Sequence, residues 1–206
     1  MVKIVIIDYG LGNLKSIYNM LVKIGENAKI SSDYTEILEA DKLILPGVGA
    51  YDAGIKNLRK NNLFESLNKA VLLKKKPILG ICLGMQLLGK YSEEGKEQGL
   101  GWIDFYCKKF EFETDNNLKI PHVGWNYVDI VHDNNLIHNN EDKNRFYFVH
   151  SYHAVCENYD NVIMETEYGY KFASAVNKDN IYGVQFHPEK SHRFGLQLLK
   201  NFVENC

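Results

Sequence analysis

The feature that most constrains the fold is an apolar strand that runs straight into a Gly-x-Cys-x-Gly segment. Residues 78–81 form the apolar run, Gly80 and Gly84 flank Cys82, and a helical pattern follows over residues 83–88. A nucleophile held in a tight turn between a strand and a helix crowds its neighbours, and glycine relieves that crowding because it has no Cβ. The segment therefore predicts a nucleophile elbow with Cys82 at its tip.

The predicted position of Cys82 also suits its chemistry. At the N-terminus of a helix, exposed backbone amides and the helix dipole favour a thiolate over a thiol. A free cysteine is more often a small buried hydrophobe, but glycine on both sides of Cys82 at a strand end favours the nucleophile. The cysteines at positions 107, 156 and 206 lack this setting, so we expect them to be structural.

The first half of the chain alternates short apolar runs with amphipathic segments. Strands are predicted at 2–7, 28–31, 42–45 and 77–81, and helices at 14–24, 54–73 and 83–88. An unbroken β-branched run, such as the first of these strands, suits a strand buried on both faces. Strands and helices that alternate in this way form βαβ units, so we expect a parallel sheet covered by helices.

The second half has a different character, because short aromatic and β-branched runs follow one another directly. They lie at 105–112, 127–131, 145–150, 162–166, 172–176 and 181–186. Consecutive strands favour an antiparallel layer that adds to or extends the parallel sheet. An amphipathic helix is predicted at 191–203, and no linker or repeat interrupts the chain. Residues 1–206 are therefore predicted to form a single domain.

Composition and charge exclude several classes of function. The 206 residues carry a net charge of −2 with dispersed basic residues, so we expect neither a nucleic-acid nor a membrane surface. No apolar stretch reaches the ~18 residues of a membrane span, and the chain opens directly into a predicted strand, which leaves no room for a signal peptide. The four cysteines are irregularly spaced and indicate neither a disulfide framework nor a paired zinc site. We predict a reducing, cytoplasmic location.

A thiolate nucleophile needs a base, and the base needs an orienting group. Among seven histidines, His187 stands out because it follows an apolar strand and precedes Pro188 and Glu189. Pro188 biases His187 toward extended geometry, in which residues two apart point to the same side. Glu189 can then bind one ring nitrogen while the other faces the thiol. Alone, this tripeptide indicates a surface turn; together with the cysteine elbow it predicts a base and its orienting group.

Attack on an amide also requires hydrogen-bond donors for the oxyanion that forms. The residue after the nucleophile, here Leu83, supplies one backbone amide. The strand end at residues 46–49 contains two glycines and could present a second amide, from Val48 or Gly49. An ordinary glycine turn is the alternative interpretation of that strand end.

Two further motifs are weak. Gly10 and Gly12 follow the first strand like part of a dinucleotide fingerprint, but Lys15 occupies the third glycine position. His150 and His153 are potential metal ligands, yet residues three apart on a strand point to opposite faces. We therefore expect no cofactor and no metal ion.

The elbow at residues 80–84 and the segment His187-Pro188-Glu189 together resemble the motifs of the class I glutamine amidotransferases. Within this class, the chain is similar to the glutaminase subunits of imidazole glycerol phosphate synthases. The segments that carry this closer similarity are spread over nearly the whole length, at 8–13, 45–50, 121–126, 146–152 and 185–191.

This resemblance implies a fold, a set of residue roles and a partner. The implied fold is an open, mostly parallel, flavodoxin-like α/β sheet, and the implied catalytic triad is Cys82, His187 and Glu189. Contacts to L-glutamine are implied for Gly49, Gln86, Ser151 and Tyr152. The residues implied to face the partner, a (β/α)₈ barrel cyclase subunit that receives ammonia through an internal tunnel, are Asn13, Trp125 and Lys190.

The implied activity is hydrolysis of glutamine to glutamate and ammonia, which the partner uses to form imidazole glycerol phosphate in histidine biosynthesis. Two departures from the family pattern, the absence of Pro-Gly at residues 102–105 and the presence of His153, leave a second acceptor open. That acceptor is a complex that amidinates surface sugars. A third interpretation is a non-catalytic docking subunit in which the triad persists only as structure.

The sequence also suggests a means of control. The chain offers no acceptor site of its own, so we expect the isolated subunit to be nearly inactive and its partner to activate it. A peptide plane near Val48 that turns a carbonyl, not an amide, toward the oxyanion would switch the activity off, and Gly47 and Gly49 lower the steric cost of rotating it.

Overall fold

The computed structural model of the protein describes residues 2–113, 118–137 and 144–206. Within these ranges it has twelve strands, ten in one sheet and two in a separate ladder. In chain order the strands are β1 (Ile4–Ile7), β2 (Ala28–Ser31), β3 (Lys42–Gly47), β4 (Ile78–Cys82), β5 (Phe105–Lys109), β6 (His122–Tyr127), β7 (Asp129–Ile130), β8 (Arg145–His150), β9 (Tyr152–Cys156), β10 (Val162–Tyr168), β11 (Tyr170–Lys178) and β12 (Ile181–Val184). The α-helices are α1 (Leu14–Lys23), α2 (Tyr34–Glu39), α3 (Tyr51–Lys60), α4 (Leu63–Asn68), α5 (Leu83–Gln86) and α6 (His192–Asn205).

Five strands pair in parallel in the order β2-β1-β3-β4-β12 and form the half of the sheet that ends in the elbow. Every residue of β1 is buried, Val5 and Ile7 in one core cluster and Ile4 and Ile6 in the other. Successive side chains of a strand point to opposite faces, so an unbroken apolar run suits a strand covered on both sides. Helices α2 to α5 contribute to one cluster, and α1 and α6 contribute to the other.

The C-terminal half extends this sheet with antiparallel strands. β11 pairs with β10 on one side and with β12 and β9 on the other, β7 continues the sheet beyond β10, and β5 pairs with β9. The prediction of an α/β sheet with helices on both faces and added antiparallel strands is confirmed.

A two-stranded ladder of β6 and β8 lies outside the main sheet, with His122 opposite His150 at one end and Tyr127 opposite Arg145 at the other. The strand β6 alternates in burial. Val123, Trp125 and Tyr127 are exposed, whereas His122 is buried and Asn126 is half-buried. One side of β6 therefore presents apolar and aromatic groups to solvent while the other side faces the protein.

Several predicted element bounds were wrong. The predicted helix at 54–73 is two α-helices, because Asn62 has a left-handed backbone with φ of 56° between α3 and α4; a π-helical turn (Lys69–Leu73) follows α4. The predicted strand at 127–131 covers the end of β6 and all of β7, and the strand at 105–112 ends at Lys109. The elements α2 and β9 were not predicted, and neither were residues 122–126 of β6.

Three predictions concerned membrane spans, metal sites and disulfide bonds. Across the three described ranges, no helix combines the length and the apolar character that crossing a bilayer requires. In the same ranges, no three His, Cys, Asp or Glu side chains are grouped closely enough to hold a metal ion. All four cysteines have free thiols.

Candidate active site

The strand β4 ends at Cys82, which has φ of 53° and ψ of −111°, and α5 begins at the next residue. A positive φ is unfavourable for a residue with a Cβ, so the surrounding structure must hold this turn in place. The flanking glycines show how tightly it is held. A Cβ on Gly80 would lie 2.8 Å from the carbonyl oxygen of Gly84, and a Cβ on Gly84 would overlap the carbonyl oxygen of Leu45. The predicted elbow is present, and both glycines are needed for its close packing.

His187 and Glu189 form a buried pair beside this turn. Nδ1 of His187 is 2.8 Å from Oε1 of Glu189, and the two side chains are only 1% and 2% exposed. The backbone of His187 is fixed by β8, because its N–H donates to the Tyr147 carbonyl at 2.8 Å. Ser191 completes the support, accepting from the Tyr147 N–H at 3.0 Å and donating to the His187 carbonyl at 2.6 Å. The ring is thus oriented from both its side chain and its main chain.

The charge on His187 is controlled by its two neighbours. Burial by itself lowers the pKa of His187, but the sulfur of Cys82 and the carboxylate of Glu189 outweigh that effect and raise the pKa to about 10. Since Nδ1 is engaged by Glu189, Nε2 is the remaining polar atom of the ring. It is buried and has no hydrogen-bond partner among the described residues. A proton held there is placed for transfer to a group that enters beside Cys82.

Cys82 and His187 open into one pocket of about 300 Å³. The predicted site residues that line it are Val48, Gly49, Cys82, Leu83, Gln86, Ser151, Tyr152 and His187. The pocket also includes four residues that the sequence did not predict, namely Glu94, Pro121, Val149 and His150. Glu189 is absent from the lining and contacts His187 at Nδ1, the position of an orienting group.

The two residues proposed as the second oxyanion donor differ from the glycine before them. Gly49 has φ of 108° and nothing within 4 Å of the position that a Cβ would take, and Val48 is 40% exposed. Gly47, in contrast, is packed so closely that a Cβ there would lie 2.8 Å from the backbone nitrogen of Gly84. The room for a peptide plane to rotate therefore lies at Val48 and Gly49, while Gly47 serves close packing.

Gln86 and Gln185 form a buried amide pair next to Cys82. Nε2 of Gln86 donates to the Tyr152 carbonyl at 3.2 Å and to Oε1 of Gln185 at 3.0 Å. Nε2 of Gln185 is then directed at Sγ of Cys82, 3.7 Å away. Gln185 was not among the predicted site residues, although it stands two residues before His187 and so points to the same side of an extended segment. Gln185 therefore offers an amide hydrogen to the sulfur of Cys82.

Glu94 is the acidic side chain among the residues that line the pocket. Its Oε2 accepts a hydrogen bond from the backbone N–H of Tyr51 at 3.0 Å, at the start of α3. Partial burial raises its pKa, the Tyr51 hydrogen bond opposes that shift, and Asp52 adds to it. Nothing in the sequence marks Glu94, because it lies in a loop without strand or helix periodicity and only the fold brings it to the pocket.

Two of the three residues expected at a partner interface, Trp125 and Lys190, both contact Tyr147. Trp125 on β6 stacks on His192 with ring centroids 5.6 Å apart, and Arg145 lies over the Trp125 ring at 5.5 Å. Trp125 also packs edge-on against Tyr147, and Nζ of Lys190 lies over the Tyr147 ring at 5.5 Å. Asn13 precedes α1, which contacts the turn that carries Lys190, and it accepts a hydrogen bond from Ser16 at 2.8 Å.

The weaker motifs have structural explanations. Gly10 and Gly12 both have positive φ, and a Cβ on Gly12 would approach Pro46 at 3.2 Å, so this loop packs against the end of β3. His150 and His153 flank the bend at Ser151, and His153 pairs with the Tyr170 hydroxyl at 2.9 Å.

Comparison with known proteins gives consistent matches over nearly the whole chain. The family model described as glutamine amidotransferase class-I matches residues 5–206. Imidazole glycerol phosphate synthase subunit HisH 2 of Methanococcus maripaludis is 55% identical over 98% of this chain and 100% of its own length. The subunit of the same name from Pseudomonas aeruginosa is 51% identical over 98% of each chain. Subunit HisH of Leptospira interrogans is 46% identical over 96% of this chain and 98% of its own.

Solved structures with low sequence identity share the fold. PurLQS from Thermotoga maritima aligns with a TM-score of 0.75 at 18% identity, covering 98% of this chain and 97% of that chain. A glutamine amidotransferase from the same organism aligns with a TM-score of 0.60 at 21% identity, covering 98% of this chain and 81% of that one.

Proposed function

Because this chain belongs to the class I glutamine amidotransferase family, we propose that it hydrolyses L-glutamine through a triad of Cys82, His187 and Glu189. The observation that carries the proposal is the shared pocket of about 300 Å³ into which Cys82 and His187 both open. A buried nucleophile elbow, a base and an orienting carboxylate in that order are what covalent amide hydrolysis requires.

In the proposed reaction, the Cys82 thiolate attacks the side-chain amide carbon of glutamine. The backbone amides of Leu83 and of Val48 or Gly49 bind the oxyanion. The His187 imidazolium donates its proton to the amide nitrogen, the carbon–nitrogen bond breaks, and ammonia leaves a γ-glutamyl thioester on Cys82. Neutral His187 then takes a proton from water, which attacks the thioester and releases glutamate.

The other pocket residues suit the two ends of an amino acid substrate. Gln86 has both hydrogens of its amide directed at protein acceptors, so its Oε1 is the atom that can accept from a ligand. We assign the substrate α-ammonium group to Oε1 of Gln86 and the carboxylate of Glu94. Gly49, Ser151 and Tyr152 are assigned to the remaining polar atoms of glutamine.

The ammonia is used by a partner, which we propose to be a (β/α)₈ barrel cyclase subunit that forms imidazole glycerol phosphate in histidine biosynthesis. Support comes from the names of the relatives, which are subunits of imidazole glycerol phosphate synthases. The docking face is proposed to be the exposed side of β6 with Asn13 and Lys190 beside it. Trp125 is its centre, since an exposed tryptophan supported by Arg145 and His192 has the character of an interface hot spot.

We propose that the partner also switches the activity on. A carbonyl in place of an amide near Val48 removes an oxyanion donor, which costs ~10²–10³ in rate. The open surroundings of Gly49 give that peptide room to turn. Docking shifts the population toward the active orientation if the partner contacts that state better.

The test is the rate of glutamine hydrolysis by the subunit alone, with the barrel partner, and with partner plus an acceptor-site ligand. We expect almost no activity alone and a rise of ~10²-fold or more in the full complex. Full activity in the isolated subunit would refute the switch but leave the triad standing. An inactive full complex would instead favour a docking subunit without catalysis.

A second acceptor is favoured by one observation. The relatives at 55% and 51% identity are both named subunit HisH 2, as expected where an organism has more than one such subunit, whereas the unnumbered Leptospira subunit is 46% identical. A duplicated glutaminase can supply ammonia to a different enzyme, here a complex that amidinates surface sugars. Measuring which barrel protein of the organism binds this chain and raises its activity decides between the two acceptors.

Two further expectations complete the proposal. Residues 1–206 form one glutaminase domain, supported by a family match over residues 5–206 and by core clusters on the two faces of the sheet. The protein works in the reducing cytoplasm, where the four free thiols would stay reduced.

A further inference from the structure

At the wall of the pocket, two buried histidines form a hydrogen-bonded pair to which the proposed mechanism gives no role. His122 on β6 and His150 at the end of β8 are directly opposite each other in the antiparallel ladder. Nδ1 of His122 is 3.1 Å from Nε2 of His150, and the residues are 3% and 6% exposed. Burying two imidazoles is costly unless their nitrogens are paired, so the partners of each nitrogen are informative.

The direction of each hydrogen bond follows from the carbonyl groups at the ends of the chain. Nδ1 of His150 is 2.8 Å from the Tyr152 carbonyl oxygen, which can only accept, so Nδ1 carries the proton. Nε2 of His150 is then an acceptor, and His122 donates to it from its own Nδ1. Nε2 of His122 in turn accepts from Nδ2 of Asn126 at 3.3 Å, whose other hydrogen goes to the Glu167 carbonyl at 2.9 Å.

The surroundings keep both rings neutral and oriented, as this arrangement requires. Burial lowers the pKa of His122 to about 4, and burial is also the main reason that the pKa of His150 is lowered to about 3. The His122 ring is stacked between Phe148 and Tyr168, with centroids 4.8 and 4.0 Å away. Its plane, and hence the direction in which Nδ1 donates, is fixed by these two rings.

At its other end the chain of hydrogen bonds reaches the nucleophile. The Tyr152 carbonyl that accepts from His150 also accepts from Nε2 of Gln86 at 3.2 Å. Gln86 donates to Gln185, and Gln185 is directed at the sulfur of Cys82. The histidine pair therefore connects β6 to the side-chain amides of Gln86 and Gln185 at the pocket.

We propose that His122 is a positioning residue for glutamine. Through the tautomer and orientation of His150, it fixes the Tyr152 carbonyl, and through that carbonyl it fixes the Gln86 side chain and the pocket wall at Ser151 and Tyr152. This inference rests on the proposed glutaminase function of the pocket. Because His122 lies on the inner side of β6, the position of the docking strand is also communicated to the pocket through this residue.

The first test compares glutamine KM and kcat for variants in the complete complex with the barrel partner. His122→Phe keeps the stacked ring but removes both nitrogens, and we expect KM to rise roughly tenfold with little change in kcat, because a buried acceptor on His150 is left unpaired. His122→Asn retains an amide donor near the position of Nδ1 and should restore most of the affinity. His132→Phe is the matched control, since His132 bonds the Val162 carbonyl outside the pocket.

An unchanged KM in His122→Phe would overturn the proposal. An equal rise in His132→Phe would also overturn it, because the effect would then follow from general loss of packing.

The second test uses the wild-type protein, so it does not depend on whether a variant folds. Nitrogen-15 NMR of the imidazoles in the wild-type complex at neutral pH should show His122 and His150 both neutral and both protonated on Nδ1. Protonation of either ring on Nε2 overturns the proposal. Loss of glutaminase activity in the wild-type complex would count against the proposed function, whereas a wrong tautomer in an active complex counts against the positioning role alone.

Discussion

Gly84 lies directly against the carbonyl group of Leu45, with no room for a Cβ between them. The two residues belong to different elements, α5 and β3, and their contact sets how closely the helix after the nucleophile approaches the neighbouring strand. Backbone packing therefore sets the distance between the elbow at Cys82 and the end of β3, where residues 46–49 lie.

Gly84→Ala should lower the free energy of unfolding by ~3 kcal/mol or more, because an overpacked site whose neighbour is backbone cannot relax by a side-chain rotation. The matched control is Gly54→Ala within α3, where the nearest atoms to a Cβ are flexible methyl groups, those of Leu87 at 3.1 Å and one of Leu83 at 3.4 Å. Alanine is favoured over glycine in a helix by ~1 kcal/mol, so the control should be close to neutral. Chemical denaturation of both variants measures the difference, and equal stabilities would refute the packing argument.

Cys82→Ala and Cys82→Ser should reduce glutamine hydrolysis by ~10³-fold or more while the fold persists, because the nucleophile is lost. A glutamine-like affinity label should modify Cys82 and leave Cys107 and Cys156 untouched, since burial raises the pKa of both of those thiols. Mass spectrometry of the labelled protein locates the modified residue. Labelling of Cys107, or activity that survives either substitution, would be inconsistent with the proposed mechanism.

Glu189→Gln should be milder than His187→Ala. The glutamine amide oxygen can still accept from Nδ1 of His187, although the negative charge that stabilises the imidazolium is gone. Removal of the imidazole eliminates acid and base catalysis, which contributes ~10²–10⁴ in rate. Steady-state kinetics of both variants with the partner bound decide the order. Equal losses would mean that the carboxylate does more than orient the ring.

Acid should destabilise the protein through the buried histidine pair. His122 and His150 have folded-state pKa values of about 4 and about 3, below the usual 6.5, so the unfolded chain takes up protons that the folded chain does not. The stabilisation is present above pH 6.5 and is lost as the pH falls toward 4, by up to about 1.4 kcal/mol per pH unit for each histidine. Denaturation of the wild type and His122→Phe between pH 7 and 4.5 tests this, and the variant should show the shallower dependence. Equal slopes would mean that His122 does not contribute.

Trp125→Ala should weaken binding of the barrel partner by ~2 kcal/mol or more, about thirtyfold in Kd, if Trp125 is the centre of the docking face. The free subunit should stay folded because the ring is 43% exposed. Tyr159→Ala, which removes a comparably exposed ring from the 3₁₀ turn before β10, is the control. Calorimetric titration of the partner measures both, and similar Kd values for the two variants would place the interface elsewhere.

The parts of the fold that the sequence predicted are those in which local periodicity and burial agree. The run at residues 2–7 is apolar at nearly every position because β1 is covered on both faces, and the strand that leads into the elbow is similarly unambiguous. The six-residue helix α2 was missed because it buries only Ile37, too little to produce a periodic pattern. The break between α3 and α4 was missed because its cause is a left-handed backbone at Asn62, which no apolar spacing reports.

The candidate site divides in the same way. The elbow was predicted because its close packing requires the glycines beside Cys82. The His187 segment was predicted because, in an extended chain, His187 and Glu189 point to the same side. Glu94 and His150 could not be predicted, since each reaches the pocket from an element whose placement depends on the whole fold. The paired tautomers of His122 and His150 depend on a strand register that the sequence pattern does not contain.

The alternation of β6 has an evolutionary consequence. Val123, Trp125 and Tyr127 are exposed on one side, while the residues on the other side, His122 and Asn126, bond toward the pocket. If this exposed side is the docking face proposed above, substitutions at the odd-numbered positions can change the choice of partner while His122 and Asn126 keep their hydrogen bonds. A gene duplicate can thus inherit a working glutaminase and be recruited to a new biosynthetic route by changes at every second residue of one short strand.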